Sequence, residues 1–137
     1  MAMNVLIDTS AFSDYGRGNN AELETWFKAE HQLTMPLIVI GELRAGFAAG
    51  NRRSENEKLL QKFLDAPNVI TVGLSDKTTH EFADIYLQLR KAGTPIGAND
   101  MWIASIAKEL DLTVLTTDTD FSYIEGLKLI EVKKAAN

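Results

Sequence analysis

The run Asn4-Val5-Leu6-Ile7 ends directly on an acid, Asp8, and constrains the fold more than any other stretch. It shows no polar alternation, so it suits a strand buried on both faces, the environment of a parallel sheet. Helical patterns follow. Thr9-Ser10 offers a cap before Ala11-Phe12, and residues 20–31 read as a helix with Leu23, Trp26 and Phe27 on one stripe. Thr34-Met35 reads as a very short strand, and Pro36 suits the first turn of a helix to about residue 48. Another helix is expected over 54–64, a strand over 68–72, and a long helix capped by Ser75 to about 91. Gly93-Thr94-Pro95-Ile96-Gly97 breaks that helix, and a new one begins near Asn99 and ends by Asp111. Strands over 112–116 and 127–132 complete the pattern. Strands alternating with helices predict an α/β fold with a mainly parallel sheet.

The 137 residues fit a single domain, 1–137, with one core. A content of 45% hydrophobic and 24% charged residues argues against disorder. No apolar run approaches the roughly 20 residues that span a bilayer, and the opening Met1-Ala2-Met3-Asn4 lacks the basic start of a secretory signal. There is no cysteine, which excludes disulfides and thiolate metal sites and is compatible with a reducing cytoplasm. The formal charge of −5 runs against the basic footprint usual for nucleic-acid binding. Convergence of several of the nineteen acids on metal ions offers a resolution, because bound cations cancel much of that local charge.

The acids fall in a pattern. Two strands end alike, one in Asp8 and the other in Thr116-Thr117-Asp118, and ligands of open α/β sheets bind outside the carboxyl ends of strands. Either acid alone serves equally well as a helix cap or turn former; two at neighbouring ends favour a site. Glu42 has Ile38, Val39, Ala45 and Gly46 three and four positions away, which predicts a core-facing carboxylate. A buried carboxylate is normally neutralised, paired or metal-bound, and an ion pair with Arg44 or Arg90 is the alternative. Asp100 shares a stripe with Ile103, Ala104 and Ala107. Its place in a first turn also suits the helix dipole, but Asn99 is the better cap candidate. Asp120, two positions after Asp118, either joins the site or points to solvent.

Oxygen ligands with no cysteine and no histidine pair select hard cations such as Mg²⁺ or Mn²⁺. Two such ions about 4 Å apart activate water against a phosphodiester with no nucleophilic side chain. Thr9 and Ser10 beside Asp8, and Thr116 before Asp118, suit either ligand orientation or ordinary capping and strand polarity. His31 and His80 read as surface or satisfied histidines. No phosphate-binding glycine loop of either common type is present. A second aspartate two residues after Asp8, expected of an aspartyl-phosphate phosphatase, is missing.

Four motifs in order, Ile7-Asp8-Thr9-Ser10, Ile40-Gly41-Glu42-Leu43-Arg44-x-Gly46, Asn99-Asp100-x-Trp102-Ile103-Ala104 and Leu115-Thr116-x-Asp118-x-Asp120-Phe121, resemble the PIN-domain ribonucleases. The likeness is greatest to VapC-type toxins of bacterial toxin–antitoxin pairs. The resemblance implies a three-layer α/β/α fold and a Mg²⁺- or Mn²⁺-dependent endoribonuclease acting on structured RNA such as tRNA. It also implies a cytoplasmic homodimer, with no membrane association, inhibited by a VapB-like antitoxin. It maps acidic ligands onto Asp8, Glu42, Asp100 and Asp118, with Asp120 assisting and Thr116 supporting. Arg44 suits a phosphate contact or an acid pair. Arg52, Arg53, Lys58 and Lys62 are candidates for RNA contact, although a solvated helix face is the default for such residues. The alternatives are a noncatalytic metal- or peptide-binding module and a phosphohydrolase acting on DNA or small phosphoesters.

Overall fold

The first apolar run forms strand β1 (Asn4–Ile7), with Val5, Leu6 and Ile7 fully buried. The structure, a computed structural model, describes residues 2–28 and 30–135. The chain continues through α1 (Thr9–Gly16), α2 (Ala21–Trp26), β2 (Gln32–Pro36), α3 (Leu37–Ala49), α4 (Arg53–Leu64), β3 (Val69–Val72) and α5 (Asp76–Ala92). It ends through α6 (Ala98–Leu110), β4 (Thr113–Thr116), a 3₁₀ turn (Asp120–Tyr123) and β5 (Leu129–Glu131). The five strands form one parallel sheet in the order β3-β2-β1-β4-β5. Helices pack around it in the three-layer α/β/α arrangement.

β1 lies at the centre, with Leu6 opposite Thr34 of β2 on one side and Val114 of β4 on the other. Being covered on both edges and both faces, it tolerates only apolar side chains, which accounts for its unbroken hydrophobic run. The core continues through Leu33 and Met35 of β2, Val114 and Leu115 of β4, and the inner faces of α5 and α6, where Ile85, Leu89, Ile103 and Ile106 are buried. A Ser75–Thr78 capping box starts α5, and Gly93, at φ 70°, ends it in the left-handed conformation that suits glycine.

Several boundaries differ from the sequence reading. α2 stops at Trp26, not at residue 31; Ala29, within the expected span, lies outside the described residues. The His31 amide bonds to Lys28 carbonyl in a turn, while the Met3 amide donates to His31 Nδ1 and Asn68 donates to the His31 carbonyl. These bonds tie His31 to the start of the sheet. Pro36 is the last residue of β2, opposite Val72, and caps α3 without entering it. α6 is capped by Gly97, which places Asn99 and Asp100 inside its first turn.

Candidate active site

Strand order reverses at β1: β2 and β3 lie on one side, β4 and β5 on the other. The carboxyl ends of β1 and β4 therefore flank the switch point where α/β sheets open a ligand crevice. Asp8 leaves β1 here, with its amide bonded to the Leu115 carbonyl at 3.0 Å. Its side chain is only 3% exposed. Oδ2 accepts hydrogen bonds from Ser10 Oγ and from Thr116 Oγ1, both at 2.7 Å. Burial pushes its carboxyl above the ordinary aspartate range; these two hydroxyls and the Thr9 amide pull it back without cancelling the rise, and the charge of Glu42 adds to it.

Glu42 reaches the same crevice from α3, where Thr9 Oγ1 donates to its Oε1 at 2.7 Å. It is half-buried, on the shoulder of the helix. The core face belongs to Val39, Ile40 and Leu43, while Ala45 and Gly46, expected to point inward, are exposed. The ion pair considered for Glu42 does not form. Arg44 bonds Glu57 of α4 at 3.2 Å, and Arg90 lies against the Tyr86 hydroxyl at 3.4 Å.

The remaining acids come from the opposite wall. Asp100, Asp118 and Asp120 each present a carboxylate oxygen within 4.8 Å of the others. Asp118 is held by its own loop: its amide donates to Thr116 Oγ1 at 2.9 Å, and its Oδ1 accepts the Asp120 amide at 3.0 Å. The 3₁₀ turn folds Asp120 back towards Asp100, where Phe121, fully buried, anchors it. Asp8 and Glu42 stand outside this triad, yet close enough to act on it. Burial, then the charges of Asp8, Asp118, Glu42 and Asp120, push the Asp100 carboxyl up to about 7. No Lys or Arg among the described residues forms a salt bridge with any of the five.

Thr9 and Ser10, expected as a cap or as orienting groups, are the first residues of α1, and both hydroxyls bind acids of the crevice. His31 is buried and bonded, and His80 is exposed beside Asp76 at 3.5 Å. Arg52 is engaged by Glu55 at 2.6 Å. One feature escaped the sequence reading: a groove of about 1130 Å³ between α1, α3 and α4. Tyr15 and Phe27, stacked at 3.9 Å, line it with Phe47 and Leu59, and Arg17, Lys28, Arg52 and Lys62 stand around them. The aromatic positions on successive helices were its sequence signal, but periodicity cannot tell a groove from a core.

Comparison with known proteins agrees with this architecture. A family described as PIN domain matches residues 5–127. Ribonuclease VapC2 of Rickettsia felis is 30% identical over 112 residues, covering 81% of this chain and 80% of that protein. Ribonuclease VapC5 of Mycobacterium tuberculosis is 25% identical over 129 residues, covering 93% and 92%. Among solved structures, VapBC2 from Rickettsia felis, crystallised with a DNA fragment from its promoter, superposes with a TM-score of 0.83 at 24% identity. It covers 96% of this chain and 100% of the matched one. The chain therefore belongs to the PIN domain family, within its VapC group.

Proposed function

We propose that the chain is a metal-dependent endoribonuclease, the toxin of a toxin–antitoxin pair, working as one domain in the cytoplasm. One observation carries this reading: three carboxylates, from α6, the loop after β4 and the 3₁₀ turn, converge within 4.8 Å, and no Lys or Arg among the described residues forms a salt bridge with them. Such a set costs free energy unless a cation completes it. All-oxygen donors fit Mg²⁺ or Mn²⁺. Asp100, Asp118 and Asp120 hold it with Asp8, and Glu42 completes the acidic set. Bound there, the ion supplies Lewis-acid polarisation of a phosphodiester and makes water a better nucleophile. The chain's own contribution is positional. Thr9 fixes Glu42, and Thr116 joins Asp8 to the backbone that carries Asp118. Arg44, two positions from Glu42 on α3 and so turned to another face, is paired with Glu57, and a phosphate contact from it would require release of that pair.

The proposed substrate is structured RNA, tRNA in particular, in keeping with the ribonuclease names of the relatives. The proposed partners are a second copy of the chain and a VapB-like antitoxin; the antitoxin is in keeping with the VapBC names of the structural neighbours. The groove supports the antitoxin: its floor is apolar, and Lys28 and Lys62 on its border outweigh Glu24, with Arg17 and Arg52 already paired to Asp14 and Glu55, which suits an acidic peptide with large apolar side chains.

The test is cleavage of tRNA, unstructured RNA, DNA and a nitrophenyl phosphoester by the purified chain with Mg²⁺, Mn²⁺ or EDTA. Metal-dependent cleavage of RNA, lost in Asp100→Asn, is the expected result. RNA cleavage indifferent to EDTA, or unchanged in that variant, overturns the reading, and preference for another substrate corrects its class.

A further inference from the structure

Ser10 and Thr116 are 106 positions apart, yet their hydroxyl oxygens touch at 3.1 Å, and both lie 2.7 Å from the same oxygen of Asp8. A hydroxyl carries one proton. Both protons point to Asp8 Oδ2, so the contact between the two hydroxyls is a consequence of their shared acceptor. Each hydroxyl in turn accepts a backbone amide: Thr117 N donates to Ser10 Oγ at 3.1 Å, and Asp118 N donates to Thr116 Oγ1 at 2.9 Å. Two consecutive amides of the loop after β4 thus reach Asp8 through two parallel hydroxyl bridges. Among the described residues no side chain donates to Asp8 Oδ1.

We propose that Ser10 is a positioning residue that, together with Thr116, occupies Asp8 Oδ2 and leaves Oδ1 as the one oxygen Asp8 offers to a divalent cation, while locking the Thr117–Asp118 backbone to β1. Thr116 alone cannot do this. It fixes the Asp118 amide, but the Thr117 amide bonds to Ser10 Oγ instead. Ser10 supplies the second hydroxyl on Oδ2 and holds the Thr117 amide, while the Thr9 amide adds a further bond to the same carboxylate. Ser10 is placed for this by the first turn of α1, which begins immediately after Asp8. A helix begun one residue later would carry its hydroxyl away from the β4 loop. The inference rests on the metal-dependent reading of the site and adds to it a residue that need not touch the cation.

The experiment is a calorimetric Mn²⁺ titration, without RNA, of the wild-type chain, Ser10→Ala and Ser10→Thr, with amide hydrogen exchange at Thr117 in the cation-free proteins. Ser10→Ala is expected to bind Mn²⁺ about tenfold more weakly, the size of effect usual for groups that orient a ligand, and to expose the Thr117 amide to faster exchange. Ser10→Thr, which keeps the hydroxyl, restores both. Wild-type Mn²⁺ affinity in Ser10→Ala overturns the proposal, and does so even where Thr117 exchange quickens, since Ser10 is then a structural residue only. Should Ser10→Ala fail to fold, Ser10→Cys, a weaker donor of similar shape, is set against Ser10→Thr, and equal affinities overturn it. Absence of Mn²⁺ binding by the wild-type chain overturns the metal reading of the site itself, an outcome separate from the failure of Ser10.

Discussion

Asp8 and Asp100 are carboxylates of one crevice with opposite surroundings. Asp8 is almost wholly buried, and two hydroxyls donate to one of its oxygens. Asp100 is less buried, accepts no side-chain hydrogen bond among the described residues, and faces four other acids. At Asp8 the chain's own donors thus offset part of the cost of burial, whereas Asp100 meets like charges with no side-chain donor among the described residues. Buried polar groups stabilise when their partners are present and cost free energy when they are not. The comparison teaches that carboxylates of one site can differ in what they cost the fold, and that substitutions should separate that cost from their part in the site.

The largest effect is expected at Asp100. Asp100→Asn should lower RNA cleavage about 10³-fold, equivalent to roughly 4 kcal/mol in the barrier, while the cation-free protein becomes more resistant to urea because a repelled charge is gone. Single-turnover cleavage and urea unfolding on the same preparation check both halves, and loss of stability in this variant would break the comparison. Thr116→Val should do the reverse to stability. It removes a fully buried hydroxyl that donates to Asp8 and accepts from the Asp118 amide, a change worth about 1–3 kcal/mol in destabilisation, read from the urea midpoint.

The pH response sharpens the contrast. The Asp100 carboxyl is pushed up to about 7 from an ordinary 3.8. Between those values the folded chain holds a proton that the unfolded chain has released, so cation-free stability falls as pH rises through this window. Asp100→Asn should flatten that slope, and saturating Mg²⁺ should reduce it in the wild type. Asp14, far from the crevice, runs the other way. Burial raises its pKa, but bonds from Asn20, the Ala135 amide and Arg17 outweigh it and leave the carboxyl below its usual range. Its contribution is present above about pH 4 and lost as pH falls through its folded value, so chemical denaturation across acid pH should show the loss, absent in Asp14→Asn. The smallest effect is expected at Arg44, whose pair with Glu57 is exposed; Arg44→Ala should change the unfolding free energy from urea titration by less than about 1 kcal/mol.

Much of this was legible before any coordinates. An apolar run ending in Asp8 announces a central parallel strand, because three apolar residues in succession, Val5, Leu6 and Ile7, suit a strand covered on both faces. Asp118 follows from the same logic. Glu42 was harder, since periodicity assigned Ala45 and Gly46 to the core, and small residues carry little information about which face of a helix is covered. Asp120 was undecidable, because a spacing of two in a loop fixes no direction until the 3₁₀ turn and buried Phe121 supply one. The Ser10–Thr116 contact was out of reach. It exists only because β1 and β4 pair in a particular register, which one sequence does not display.

That pairing also bears on how the protein is made. The bond from Thr116 to Asp8 spans 108 positions. As the chain leaves the ribosome, β1 meets β2 early but its other edge waits for β4, and contacts this distant in sequence close late. Until residues beyond 113 have emerged, Asp8 lacks both the Thr116 hydroxyl and the wall that carries Asp118 and Asp120. The acidic crevice is therefore absent until β4 and the 3₁₀ turn that follows it have been made.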